Sequence, residues 1–157
     1  MVFMTEAHVR FSGVLRRNLG VFQTNTESLK SKDFLIQTAT DGVHLNWILG
    51  HVLHSRQILL EALGADASVK NTEILKAYAR GSKTQALEVM PSQDLLQALE
   101  VSQTVLETAL LAADFSSPSP MGKGTLEDYF EFMTWHETYH AGQSGVLRRL
   151  AGFAGQI

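Results

Sequence analysis

Apolar side chains recur at helical spacing in four long segments of the chain. The first segment runs from about Thr5 to Phe22, and its apolar positions lie three or four residues apart, as they do on one face of a helix. The second segment, Gly42 to Leu63, is apolar on more than one face, which predicts a helix buried on several sides. The third runs from Ser92 to about Ala113 and the fourth from Thr125 to about Leu150.

The residues that flank these segments predict where the helices begin and end. Asp41 is expected to cap the second helix, because its carboxylate can accept a hydrogen bond from a free amide in the first turn. Gly64 ends that helix. Thr125 and Asp128 resemble a capping box at the start of the fourth helix. A long connection joins the second and third helices, and residues 71–79 within it predict a short helix.

The helical pattern predicts the fold class. No segment shows the alternation of polar and apolar residues that is typical of a strand, and there is no internal repeat. Four long amphipathic helices predict an all-α fold, an antiparallel four-helix bundle. A chain of 157 residues suits one domain, so residues 1–157 are expected to form a single bundle.

Composition excludes several classes of function. Thirteen basic and sixteen acidic residues give a net charge of −3, which provides no electrostatic footprint for nucleic acid. The absence of cysteine excludes disulfides, thiolate metal ligands and a cysteine nucleophile. No uncharged stretch approaches the roughly 20 apolar residues of a membrane-spanning helix, and no apolar signal segment is present. We therefore expect a cytoplasmic protein with no membrane or nucleic-acid partner.

The inward face of the fourth helix carries polar residues where leucine or methionine is expected. Its members are Leu126, Tyr129 or Phe130, Met133, His136, His140, Gln143, Leu147 and Leu150. A buried polar group without a partner costs about 1–3 kcal/mol, so both histidines need partners. They lie four residues apart on one helix face, and a shared metal ion would satisfy both. The alternative is an ordinary pair of core-edge histidines bonded to carbonyl groups.

The second helix offers three candidates for a third metal ligand, which are His44, His51 and His54, and spacing alone does not choose among them. His51 is favoured because it lies in the most apolar stretch, beside Gly50, where another backbone segment or a bound ion can approach closely. Three neutral imidazoles with one open position are typical of a Zn²⁺ or Ni²⁺ site. Gln143 is expected to orient a ligand from the second layer around the metal.

The residues from His136 to His140 also spell the His-Glu-x-x-His motif of zinc peptidases. Such a peptidase needs a third protein ligand, usually downstream, but no His, Asp, Glu, Tyr or Cys follows His140. The sequence therefore predicts that the chain is not a peptidase of this class. Glu137 is either a general base close to the metal or a solvated helix glutamate.

Six further residues receive structural interpretations. His8 has no evident partner and is expected at the surface, while Arg148 and Arg149 are expected to form a charged helix end that favours the helix dipole. Trp47, Trp135 and Tyr139 are expected to be packing aromatics.

Two motifs carry a resemblance to a known family. They are Asn46-Trp47-Ile48-Leu49-Gly50-His51 and His136-Glu137-Thr138-Tyr139-His140-Ala141-Gly142-Gln143, and the segment Tyr78-Ala79-Arg80-Gly81-Ser82 adds a weaker likeness. The chain resembles the DinB-like superfamily of four-helix metal proteins, which is related to the YfiT-type metal-dependent hydrolases. The resemblance extends over nearly the whole chain, since length and helix order also agree.

The resemblance implies a metal triad of His51, His136 and His140, and a homodimer formed through bundle faces. It also implies chemistry on low-molecular-weight thiols, by a metal-dependent thiol transferase or hydrolase that binds a divalent ion. In this interpretation, the open metal position activates a water molecule or a substrate thiolate. The alternatives are a non-catalytic metal-binding or stress-response interaction module, and a helical interaction protein without a metal.

Overall fold

The computed structural model of the chain describes residues 4–39 and 42–157. Within those ranges it contains helices and no strand, so the predicted all-α four-helix bundle is confirmed. None of the described helices is both long and apolar enough to cross a bilayer. The long helices are α1 (Glu6–Thr26), α2 (Leu45–Ala62), α3 (Ser92–Leu110) and α4 (Leu126–Leu150), and two short 3₁₀ helices cover Ser31–Leu35 and Glu73–Tyr78.

The two layers of the core define the direction of each helix. One layer joins the C-terminal halves of α1 and α4 to the N-terminal halves of α2 and α3, and the other joins the opposite halves. α1 and α4 therefore run one way, and α2 and α3 run the other way. α1 packs beside α3 and α4, and α2 also packs beside α3 and α4. The neighbouring pairs α1–α4 and α2–α3 are therefore parallel, and the pairs α1–α3 and α2–α4 are antiparallel. Residues of the first layer include Phe22, Leu49, Leu99 and Leu147, and residues of the second include Phe11, Leu60, Leu106 and Phe130.

The long connection between α2 and α3 follows from this arrangement. Parallel neighbours can be joined only by a segment that returns along the bundle, and residues 63–91 do so. The short helix predicted in this connection is present as Glu73–Tyr78, and Tyr78 is buried against α2. Asn46 of α2 fixes the end of the connection, because its amide donates to the Met90 carbonyl at 2.7 Å and to Ser92 Oγ at 2.9 Å.

The start of α2 differs from the prediction. His44, and not Asp41, is the N-cap, since its Nδ1 accepts a hydrogen bond from the Trp47 amide at 3.0 Å. Asp41 itself lies outside the described residues. The second ring nitrogen of His44 is 2.7 Å from the Gln85 carbonyl, so the ring is fully used at the helix end. The capping box of Thr125 and Asp128 at the start of α4 is confirmed.

His8, predicted at the surface, is buried in the first turn of α1, where its Nδ1 accepts a hydrogen bond from the Thr5 amide at 3.0 Å. That prediction was wrong, because a backbone group close in sequence provides a partner for one of its ring nitrogens. Arg148 lies in the last turn of α4, at the charged helix end where it was predicted, and it is also buried. It donates from Nη1 to the carbonyls of Asn25 and Glu27, at 3.2 and 2.8 Å, and so satisfies acceptors at the end of α1.

A buried arginine joins all four helices. Arg56 of α2 is fully buried and donates to the Leu15 carbonyl of α1 at 3.0 Å. It also donates to the Leu99 carbonyl and Ser102 Oγ of α3, at 3.3 and 3.2 Å. Its Nη2 lies 2.8 Å from a carboxylate oxygen of Glu137 on α4. One guanidinium group therefore fixes the lateral positions of the four helices at the level of the histidines.

Candidate metal centre

Three histidines meet in the groove between α2 and α4. His51 comes from α2, and His136 and His140 come from the middle of α4, where they share one face. The Nε2 atom of His136 lies 3.3 Å from that of His51 and 3.1 Å from that of His140. In the described part of the chain, these three histidines form the one cluster that could hold a metal ion. His44 and His54 are not part of that cluster.

Hydrogen bonds orient two of the three rings. Nδ1 of His51 donates to the Tyr78 carbonyl at 2.7 Å, and a carbonyl can only accept, so the proton is on Nδ1. Nδ1 of His140 is 2.7 Å from Gln143 Oε1, while the amide nitrogen of Gln143 donates to the Tyr139 hydroxyl at 3.2 Å. Both rings therefore turn an unprotonated Nε2 towards the centre of the cluster.

The surroundings keep the three imidazoles neutral. Burial lowers the pKa of His140 to about 4, although its hydrogen bond to Gln143 opposes the effect. Burial also lowers the pKa of His51, against the raising effect of the Tyr78 carbonyl, and that of His136. Because a metal binds the neutral imidazole, protons compete weakly for this site at neutral pH.

The donor set fits a divalent metal ion. A tetrahedral Zn²⁺ with bonds of about 2.0–2.1 Å to nitrogen separates its ligand nitrogens by about 3.3–3.4 Å, close to the 3.1 and 3.3 Å found here. Of the three facing Nε2 atoms, only that of His136 can carry a proton, and one proton cannot bond to both of the other nitrogens at once. One cation could bind all three nitrogen atoms. Nδ1 of His136 is buried and has no hydrogen-bond partner in the described residues, whereas its Nε2 faces the other two rings.

The apolar motif before His51 holds the connection between α2 and α3 in place, and this connection orients the His51 ring. Trp47 stacks on His51 with ring centroids 4.6 Å apart, and its indole N–H donates to Ser82 Oγ at 3.0 Å. The Tyr78 ring lies directly against Gly50, where any side chain would overlap with it. A backbone segment or a bound ion was predicted at this glycine, but its neighbour is the side chain of Tyr78, whose carbonyl holds His51.

Gly50→Ala is expected to destabilise the protein by about 1–3 kcal/mol, because the added methyl group overlaps with the buried Tyr78 ring. The gain in helix propensity, at most about 1 kcal/mol, does not offset this overlap. The matched control is Gly20→Ala in α1, where the methyl group meets no atom within 4 Å and is expected to stabilise the helix. Urea denaturation measures both; equal midpoints for the two variants would contradict the prediction.

Glu137 belongs to the core and not to the site. It is 2% exposed, and its two carboxylate oxygens accept from Nε and Nη2 of Arg56 at 2.9 and 2.8 Å. Both alternatives in the sequence analysis, a general base and a solvated glutamate, were therefore wrong. The physical reason is the arginine on α2, which was not identified as its partner.

A cavity of about 650 Å³ opens over the histidine cluster. Trp135 and Tyr139 line it and are 62% and 55% exposed, so they are not the packing aromatics that were predicted, whereas Trp47 is packed. Leu150, predicted on the inward face, is also exposed.

A second cavity of about 720 Å³ lies beside α1 and α3, but no histidine lines it. The cavity over the cluster is lined by Trp47, His51, His54, Ser55, Ile58, Arg80, Met121, Tyr129, Phe132, Met133, Trp135, His136, Tyr139 and His140.

Sequence reasoning missed Arg80 as a lining residue. It lies in the connection between α2 and α3, where no periodic pattern indicates which side chains face the bundle. The one available indication was its position in the segment that resembles the middle connection of the DinB-like proteins.

Comparison with known proteins agrees with this architecture. None of the curated proteins compared with the chain matches it. The model of the DinB superfamily matches residues 15–144, which include His51, His136, His140 and Gln143. The match covers most of the chain, all of α2 and α3, and the part of α4 that carries the two histidines. The chain therefore belongs to the DinB superfamily.

Proposed function

We propose that the protein is a metal-dependent enzyme that binds one Zn²⁺ or Ni²⁺ ion through His51, His136 and His140. Its substrate is a low-molecular-weight thiol or another small molecule, and its reaction is thiol transfer or hydrolysis. The observation that carries the proposal is the cavity of about 650 Å³ over the three histidines, which is in the usual range for small-ligand sites. A bound divalent ion would act as a Lewis acid and lower the pKa of a thiol or water that reaches it.

The protein's own residues would orient and desolvate the substrate. The Tyr78 carbonyl and the Gln143 amide hold two of the rings, so the ligand atoms are fixed before a substrate enters. Phe132 and Met133 form apolar walls of the cavity beside the histidines, which favours an organic substrate and displaces water around it.

The accessible cavity favours an enzyme over a non-catalytic metal-binding module. A structural or stress-response site needs no entrance, whereas the wall containing Trp135 and Tyr139 is open to solvent. The arrangement also argues against a His-Glu-x-x-His peptidase, since Arg56 occupies both oxygens of Glu137. The described residues contain no strand edge that could bind a peptide.

The proposal includes a homodimer, which the family resemblance implies. Beyond the cavity, the outer face of α4 carries two exposed apolar side chains, Val146 and Leu150, four residues apart, a spacing that suits helix-to-helix packing. A second copy of the chain would bury these two side chains and leave the cavity open.

Native mass spectrometry of untagged protein tests the metal and the dimer together. We expect one ion per chain and two chains per particle. Val146→Glu is expected to give monomers that keep the metal, because this residue lies on the outer face of α4 but not in the cavity. Val9→Glu, an equally exposed apolar position on α1, is expected to leave the dimer intact. Monomeric wild-type protein would contradict the dimer alone.

Activity is tested on metal-free protein and on the same protein after reloading with Zn²⁺ or Ni²⁺. The panel combines thiol transfer to small electrophiles with hydrolysis of small esters and amides. Turnover is expected only in reloaded protein and is expected to be lost in His140→Ala. Tight metal binding without turnover in either panel would favour the non-catalytic module.

A further inference from the structure

The charges around the cavity point to the kind of substrate it accepts. Histidine binds a metal ion as the neutral imidazole, so three histidines leave the full charge of a bound divalent ion uncompensated. Arg80 adds a guanidinium group to the same cavity, and no acidic side chain is among its described lining residues. A cleft that combines two cationic centres with apolar walls attracts an anion and disfavours a cation.

Nearby acidic residues do not neutralise this cavity. Glu137 is paired with Arg56 in the core. Glu61 is exposed and does not line the cavity. Its charge raises the pKa of His54, but burial of His54 has a larger effect and lowers that pKa. Arg80 makes no salt bridge with any described residue.

The backbone on either side of Arg80 is fixed to α2. The Tyr78 carbonyl accepts a hydrogen bond from His51 at 2.7 Å, and Ser82 Oγ accepts one from Trp47 at 3.0 Å. Gly81 turns the chain between these two anchors with a φ of 82°, which a glycine adopts without strain. Arg80 is therefore held beside the cluster by the same side chains that orient and stack on a metal-binding ring.

We propose that the substrate is a small organic anion and that Arg80 binds its carboxylate or phosphate group while the reacting group faces the three histidines. This inference rests on the proposed function and makes Arg80 a specificity-determining residue. A guanidinium group suits the role, because it binds carboxylate and phosphate oxygens through two parallel hydrogen bonds. Phe132 and Trp135 supply apolar surface for the carbon skeleton.

The test compares three small thiols of similar size, which are mercaptoacetate, mercaptoethanol and cysteamine. They carry an anionic, a neutral and a cationic group respectively. Their dissociation constants for Ni²⁺-loaded protein are measured by calorimetry and by thiolate-to-metal absorption. We expect mercaptoacetate to bind most tightly and cysteamine to bind most weakly. Competition by acetate and by inorganic phosphate then shows which kind of anion the cavity prefers.

Arg80→Gln separates the effect of the side chain from that of the ion. It is expected to weaken mercaptoacetate binding by about tenfold, the loss typical of one charge-assisted contact, and to change mercaptoethanol binding little. Arg80→Lys is expected to retain part of the preference. The control is Lys83→Gln, which removes the same charge nearby but outside the cavity lining and should leave all three constants unchanged.

Metal content, measured on the same samples, distinguishes the two possible failures. Wild-type protein that holds no ion at the histidines would defeat the proposed function. Metal-loaded protein that binds anions no better than neutral thiols would overturn the inference alone. An anion preference that survives in Arg80→Gln would likewise overturn it, because the ion would then account for the whole preference.

Discussion

Glu137→Ala is expected to lower the free energy of unfolding by about 3–5 kcal/mol, because it leaves a fully buried guanidinium group without its counter-charge. Small domains are stable by only about 5–15 kcal/mol, so this single change removes a large part of the total. The remaining partners of Arg56 are mainly backbone carbonyls on α1 and α3, which do not neutralise the charge. Urea denaturation followed by circular dichroism measures the loss.

Two controls make the expected result specific to burial. Glu73→Ala breaks an exposed ion pair with Lys76 and is expected to cause no measurable loss, since such pairs contribute little. The double variant Arg56→Leu with Glu137→Leu removes both charges and is expected to be more stable than Glu137→Ala. If Glu137→Ala and Glu73→Ala had the same midpoint, the buried pair would have no special role in stability.

The buried pair also explains why the motif spelling misleads. In a His-Glu-x-x-His peptidase the glutamate serves the metal-bound water, but here Glu137 is on the inner side of α4 and faces Arg56 of α2. The histidine before it, His136, faces the groove instead. The same helix turn therefore contributes one residue to the core and one to the site.

The fold and the histidine cluster were predictable because each depends on a repeating pattern. Helical spacing of apolar residues gave four long helices, and His136 and His140 share a helix face by geometry alone. His51 was favoured because it lies in the most apolar stretch of the chain, and the structure places its ring beside the other two.

The errors concern residues whose neighbours come from elsewhere in the chain. The sequence shows that Trp135 is hydrophobic but not that no helix covers that side of α4. It shows that Arg148 is polar but not that the end of α1 provides it with hydrogen bonds. Such partners are set by helix packing, which a periodic pattern in one segment does not specify.

Substitution of any of the three clustered histidines by alanine is expected to abolish stoichiometric metal binding. In the proposed site each ring supplies one of three protein ligands, and the loss of one would leave two imidazoles, too few to hold an ion against dialysis. Elemental analysis of untagged, dialysed protein measures the effect. His51→Ala should lose the metal as completely as His136→Ala, because the ligand set needs α2 as well as α4.

His54→Ala is the matched control for this prediction, since His54 lines the same cavity but is outside the cluster. It should retain the metal at the wild-type level. Because an ion that binds only the folded state stabilises it, added Zn²⁺ should raise the melting temperature of wild-type protein and of His54→Ala. It should not raise that of His51→Ala, even where circular dichroism shows an intact helical fold. Metal retained by His51→Ala but lost from His54→Ala would move the third ligand one turn along α2 and contradict the arrangement of the three rings.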